Sequence, residues 1–176
     1  AMEDNHASIN LSEADLVDVT DLSASPPDLS GSDDVDGNGR EDLGWYIRLV
    51  DSGGNPEGEK VLSKGIVYFK TLYITTFIPS EDPCVPGGDA KLYAVNHMTG
   101  EAVIPFNGSD PDRSTLIGGG IPSNPVPVIT STGQKLFVSV GSTMPLDGSE
   151  SIEAGILGID PLAPTINFHY LWWREL

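Results

Sequence analysis

A chain of 176 residues is long enough for one domain with a real core, and its 26 acidic against 9 basic side chains give a net charge of −17. That balance excludes nucleic acid and an anionic membrane surface as natural partners, because both need clustered Lys and Arg. No window approaches the roughly 18 consecutive apolar residues of a membrane-spanning helix, and the single cysteine, Cys84, cannot close an internal disulfide.

Residues 1–33 are rich in Asp, Glu, Ser and Pro with scattered Leu and Val, the composition of a poorly packed lead-in or docking arm. The stretch lacks the basic start and apolar run of an export signal, and the opening Ala1-Met2 reads as a cloning remnant, which leaves room for an upstream region that carries one. Within the arm, SEAD (12–15) followed by Leu16, Val17 and Val19 carries the pattern of a capping box and predicts one short helical turn. The Ser25-Pro26-Pro27 step ends whatever precedes it.

DVDGNGRED (34–42) is the densest chemical feature of the chain. Calcium takes six to eight oxygens, and alternating acidic side chains let one tight loop aim several of them at one point. Numbered as an EF-hand-like loop, Asp34, Asp36 and Asn38 fill the first, third and fifth positions, and Gly39 makes the sharp turn. Arg40 offers its backbone carbonyl, and Asp42 fills the ninth position directly or through water. The twelfth position is Trp45, so the usual bidentate acid has to come from elsewhere or be replaced by water; Asp28, Asp51, Glu57 and Glu59 are the acids close enough in sequence. A solvated turn would use the same residue types. Three carboxylates this close repel one another at neutral pH, however, and a bound cation would remove that repulsion.

From residue 44 onward, short β-branched and aromatic runs are separated by Gly, Pro, Asn and Asp. Strands are predicted at 44–50, 65–69, 72–78, 91–95, 101–104, 126–130, 135–140, 154–160 and 167–173, with hairpin turns closing on Gly100 and Gly133. The class is all-β, made of antiparallel hairpins. Residues 91–103, KLYAVNHMTGEAV, have the strand, Thr-Gly turn and return strand of a quinoprotein-like propeller blade, and the strand region has the length of about three blades at roughly 40 to 50 residues each. The expected organisation is an acidic arm, 1–33, and a propeller-like domain, 34–176, that includes the loop.

No set of catalytic side chains accompanies these strands. Cys84 has no histidine placed by sequence to serve as its base, and His6, His97 and His169 are too scattered for a zinc site. GGGIP (118–122) lacks the Lys-Ser or Lys-Thr of a phosphate loop. The loop 107–113 reads as an exposed polar connection, and Trp172 and Trp173, on one strand, point to opposite faces.

TTFIPSEDPC (75–84), followed by Gly87-Gly88, LYAV (92–95) and Thr99-Gly100, resembles the C-terminal propeller domain of the PilY-type family, proteins of the type IV pilus tip and of pilus biogenesis. The likeness extends back through GWYIRL (44–49) and GEKV (58–61) and forward to the terminal WREL (173–176). The resemblance implies a non-enzymatic protein exported to the cell surface that supports pilus extension and adhesion and uses bound calcium in that control. It also implies pilus or minor pilin subunits, or an upstream adhesive portion, as partners. Members of the family are much longer, with an adhesive N-terminal region, and their calcium loop lies elsewhere in the propeller, so the loop 34–42 rests on its own chemistry. Two other readings follow from the strand pattern: a fragment of a quinoprotein dehydrogenase, or a subunit that completes its β-sheet with a partner chain.

Overall fold

The computed structural model describes residues 12–22, 26–27, 43–51, 53–82, 84, 87–106, 112–130, 133–141 and 155–159. The predicted helical turn is present as a single turn of 3-10 helix, Glu13–Asp15. One oxygen of the Asp15 carboxylate accepts from the Ser12 N–H at 2.7 Å and from its hydroxyl at 2.6 Å. The chain then straightens into β1 (Val17–Asp18), which pairs in parallel with β2 (Trp45–Tyr46). Backbone N–H groups of Leu43, Val17 and Val19 donate to the carbonyls of Asp15, Gly44 and Tyr46 at 2.9 to 3.0 Å.

This part of the arm is not poorly packed. Val17 and Val19 are 4% and 1% exposed, and the intervening Asp18 faces solvent. Two valines two residues apart share one face of an extended chain, and burying each contributes about 1.5–3 kcal/mol. Averaging composition over an acidic segment conceals such a pair.

The centre of the fold is a meander of β3 (Lys60–Val61), β4 (Ile66–Tyr68), β5 (Thr71–Pro79), β6 (Gly88–Asn96) and β7 (Ser114–Gly119). β5 and β6 pair antiparallel over nine residues, from Thr71↔Asn96 to Pro79↔Gly88. The far edge of β5 is shared by β4 and then β3, and β7 lies on the far edge of β6, where the register shifts between Ala90 and Lys91 because Ile117 of β7 is the extra residue. Gly88 has φ +155°, and a Cβ there would stand 2.1 Å from the Ile78 carbonyl oxygen and 2.7 Å from the Phe77 ring, so glycine is required at the closing end of this hairpin. At its other end, Phe69 and Lys70 form the two-residue β4–β5 turn with φ +48° and +62°, the positive values a twisted hairpin needs.

The strands expected at 65–69, 72–78 and 91–95 are therefore present, the latter two extended at both ends. The strand expected at 44–50 is reduced to the two residues of β2. The return strand expected at 101–104 is reduced to isolated bridges, Val95↔Ala102 and Ile104↔Asp112. The partner of β6 begins at Ala102 and leaves the edge, and β7 then fills the edge from Ser114, which pairs with Tyr93. β3 and β7 lie where the sequence pattern predicts no strand.

A second antiparallel sheet contains β8 (Val126–Thr130), β9 (Gly133–Val140) and β10 (Gly155–Ile159). The predicted hairpin is present, with Thr130 opposite Gly133. Alternate residues of the two sheets meet in one core. Tyr73, Ala90, Leu92 and Ala94 come from the meander, and Leu136, Val138 and Val140 from β9. The Tyr68 hydroxyl donates to Gln134 across the junction, and Gly119 bridges Gly141. The chain is all-β and dominated by antiparallel pairing. Its described sheets are fewer than the four blades of the smallest usual closed propeller. The predicted strand 167–173 lies outside the described residues.

Candidate functional site

The predicted ligands Asp34, Asp36, Asn38, Arg40 and Asp42 lie outside the described residues, as does Asp28. Among the described residues, Leu43 and Gly44 lead into β2 and are hydrogen-bonded to Asp15 and Val17 of the arm. On the arm, the Arg48 guanidinium pairs with two acids and lies 3.1 Å from both Glu13 Oε1 and Asp18 Oδ2. It also donates to the Tyr46 hydroxyl at 3.0 Å and lies 5.5 Å from that ring's centre. Burial alone would raise the Asp18 carboxyl, but hydrogen bonds from Thr20, together with Tyr46 and Arg48, hold it below its ordinary value.

Two of the acids proposed to complete the calcium shell are already engaged. Asp51 Oδ1 accepts from the N–H groups of Gly53 and Asn55 at 2.8 and 2.7 Å, which closes its own turn. Glu59 is buried, with its side chain 1% exposed, and its carboxylate meets Lys91 Nζ at 3.2 Å and accepts from Thr76 Oγ1 at 2.5 Å. A buried carboxylate already paired in this way is not available to an ion at the loop. Among the described residues no group of three or more His, Cys, Asp or Glu is placed to hold a metal ion.

The adjacent threonines of TTFIPSEDPC separate because successive strand residues point to opposite faces. Thr75 Oγ1 donates to the Ser123 carbonyl at 2.9 Å, tying β5 to the segment before β8. Thr76, on the other face, holds Glu59. Burial first, and then the Glu59 carboxylate, push the Tyr93 phenol far above its ordinary value, so it remains a neutral hydroxyl. Cys84 is exposed in the β5–β6 connection, and its N–H donates to Asp82 Oδ1 at 2.8 Å.

Arg113 was expected in an exposed connection and is instead 9% exposed. Its Nε donates to the Gly100 carbonyl and one Nη to the Thr20 carbonyl, both at 2.9 Å, which joins the arm to the β6 turn. Burial lowers its pKa while Asp21 and Glu101 act in the opposite direction. Nothing in the sequence marks this contact, since Thr20 is 93 residues away.

The segment that follows the acidic loop lies over the outer face of the meander. Trp45, Ile47 and Leu49, at alternate positions, face Ile74, Tyr93 and Val95 across an apolar cavity of about 170 Å³. A cleft of about 740 Å³ with a mixed polar and apolar lining adjoins it, with Ile47 and Tyr93 lining both.

No protein-family model matches the chain, and no solved structure does. Over 62 residues, 35% of its length, the chain is 29% identical to the type IV pilus biogenesis factor PilY1 homolog of Xylella fastidiosa (strain Temecula1). The matched stretch is 4% of that protein. The residues on which the PilY-type resemblance rests include 75–79, Gly88 and 92–95 of the β5–β6 hairpin, which pairs over nine residues.

Proposed function

We propose that this chain is a calcium-binding, non-enzymatic portion of a type IV pilus component, part of a β-propeller that acts at the cell surface in pilus assembly and attachment. The observation that carries this reading is the partial identity with a pilus biogenesis factor, which agrees with the resemblance of the β5–β6 hairpin. Its partners are pilus or minor pilin subunits, or an upstream adhesive portion, and open sheet edges provide a means of completing a sheet with another chain.

The proposed calcium ligands are Asp34, Asp36, Asn38, Asp42 and the Arg40 carbonyl, with Asp28, Glu57 or water completing the shell in place of Glu59 and Asp51. Pairing of β1 with β2 supports this assignment, because it holds residue 43 beside Asp15 and so lowers the entropy lost when the loop closes on an ion. Calcium would then clamp the arm to the strand that follows the loop. Limited proteolysis tests the reading: removing calcium should increase cleavage between residues 30 and 45 and spare the β5–β6 hairpin. Identical digestion with calcium and with chelator would reject the clamp.

A further inference from the structure

We infer that β8 is a guarded edge, on which Pro127 withholds the backbone N–H through which an exposed apolar strand would otherwise pair with a second copy of this chain. The guard stands independently of the calcium assignment, and it removes β8 from the edges at which another chain could complete a sheet.

Among the described residues β8 is the end strand of its sheet, paired with β9 alone. Its apolar side chains are open to solvent: Val126 is 51% exposed, Val128 37% and Ile129 78%. Branched residues in an extended, uncharged run are the composition that adds strands edge to edge. Charge does little to keep neighbours away here. The chain carries −17 overall, yet residues 114–134 contain no charged side chain, so the repulsion that protects other surfaces is weakest along this strand. The charge opposite Val128 is Lys135 of β9, one strand in from the edge. The short strand β3 differs, because it presents Lys60 itself.

The register decides which backbone groups face outward. In an antiparallel pair, residues that exchange both hydrogen bonds alternate with residues whose N–H and C=O turn away from the partner. Thr130 pairs with Gly133 across two intervening residues, a closure that makes this a bonded pair. Val128 with Lys135 and Val126 with Phe137 are then the next bonded pairs, and Pro127 and Ile129 turn their backbone outward. Position 127 accepts proline for that reason, since no N–H is owed to β9 there. Its ring fills the space that a neighbouring strand's carbonyl would need, and within β8 Ile129 alone keeps an outward N–H. Pro125, immediately before the strand, also lacks the donor. A second β8 meeting this edge about a two-fold axis would lose the bond at position 127 once on each chain, because such a contact repeats every defect.

The test replaces Pro127 with threonine, which restores the N–H on a strand-forming residue. Sedimentation equilibrium should show Pro127→Thr associating at least about tenfold more tightly than the unaltered chain, the effect of about two added backbone hydrogen bonds across the contact. Adding Ile129→Lys to Pro127→Thr places a charge on the same edge and should abolish the gain, and circular dichroism should show both variants folded. Amide hydrogen exchange of the unaltered chain gives a readout that needs no variant: Ile129 should exchange at the rate of an exposed amide while Val126 and Val128 are protected. No gain in association by folded Pro127→Thr, a gain that survives Ile129→Lys, or an Ile129 amide protected as strongly as that of Val128 would each overturn the guard. Protection of that amide that is lost on dilution would assign the edge to a second copy already paired there, and protection at every concentration would assign it to another segment of this chain.

Discussion

Replacing Lys91 with methionine removes the cation beside a carboxylate that is 1% exposed and retains most of the aliphatic volume. At 3.2 Å and an effective dielectric constant of about 20, the direct attraction is about 5 kcal/mol. Desolvation of both groups offsets much of this, so the net contribution of the pair is small. Breaking it is different, because Glu59 is left charged and buried with the neutral hydroxyls of Thr76 and Tyr93 as partners and no cation. The expected loss for Lys91→Met is about 3–5 kcal/mol. The double variant Glu59→Gln with Lys91→Met leaves no buried charge and should recover most of it, ending within about 1.5 kcal/mol of the unaltered chain. Urea denaturation followed by tryptophan fluorescence and circular dichroism measures the cycle, with coincident transitions as the check on two-state behaviour. A loss below about 1 kcal/mol for Lys91→Met, or simple addition of the two single losses in the double variant, would refute the account of Glu59 as a structural carboxylate.

Gly88→Ala places a Cβ 2.1 Å from the Ile78 carbonyl oxygen at φ +155°, so the hairpin end must move; a loss above about 3 kcal/mol is expected in the same assay, and a loss below about 1 kcal/mol would contradict the close approach. The Asp51 carboxyl is held below its ordinary 3.8, first by the Asn55 N–H, then by the Asn55 side chain and the Gly53 and Gly54 N–H groups. A carboxylate with a depressed folded-state pKa supplies stability that is present above the ordinary value and lost as pH falls through the folded one. The Asn55 amide resonance should therefore titrate with a midpoint below 3.8 and stop responding in Asp51→Asn; a midpoint at or above 3.8 would contradict this.

The long strands were legible because their apolar residues recur with period two between turn residues, as in TLYITTFIP on β5 and GDAKLYAVN on β6. β3 was not, since two exposed residues carry no period. The Phe69–Lys70 turn lacks the Asn or Gly that usually signals one, and its Lys70 carbonyl is held by the His97 N–H at 3.1 Å, a contact 27 residues distant. Residues 101–104 carry a strand composition, but the edge of β6 was taken by β7, and local pattern says nothing about competition for an edge. The same limit applies at the site. The donor chemistry of 34–42 is visible in the residues themselves. The commitment of Glu59 to Lys91, and of Arg113 to Thr20 and Gly100, depends on contacts 13 to 93 residues apart that no spacing rule reveals.

The most direct measurement is calorimetric titration of calcium into the chain and into Asp36→Ala. The account predicts one site in the unaltered chain, with an affinity on the order of 10⁻⁴ to 10⁻³ M, typical of extracellular modules, and no heat of binding in the variant. An unchanged heat signal in Asp36→Ala, or no binding by the unaltered chain at millimolar calcium, would contradict it.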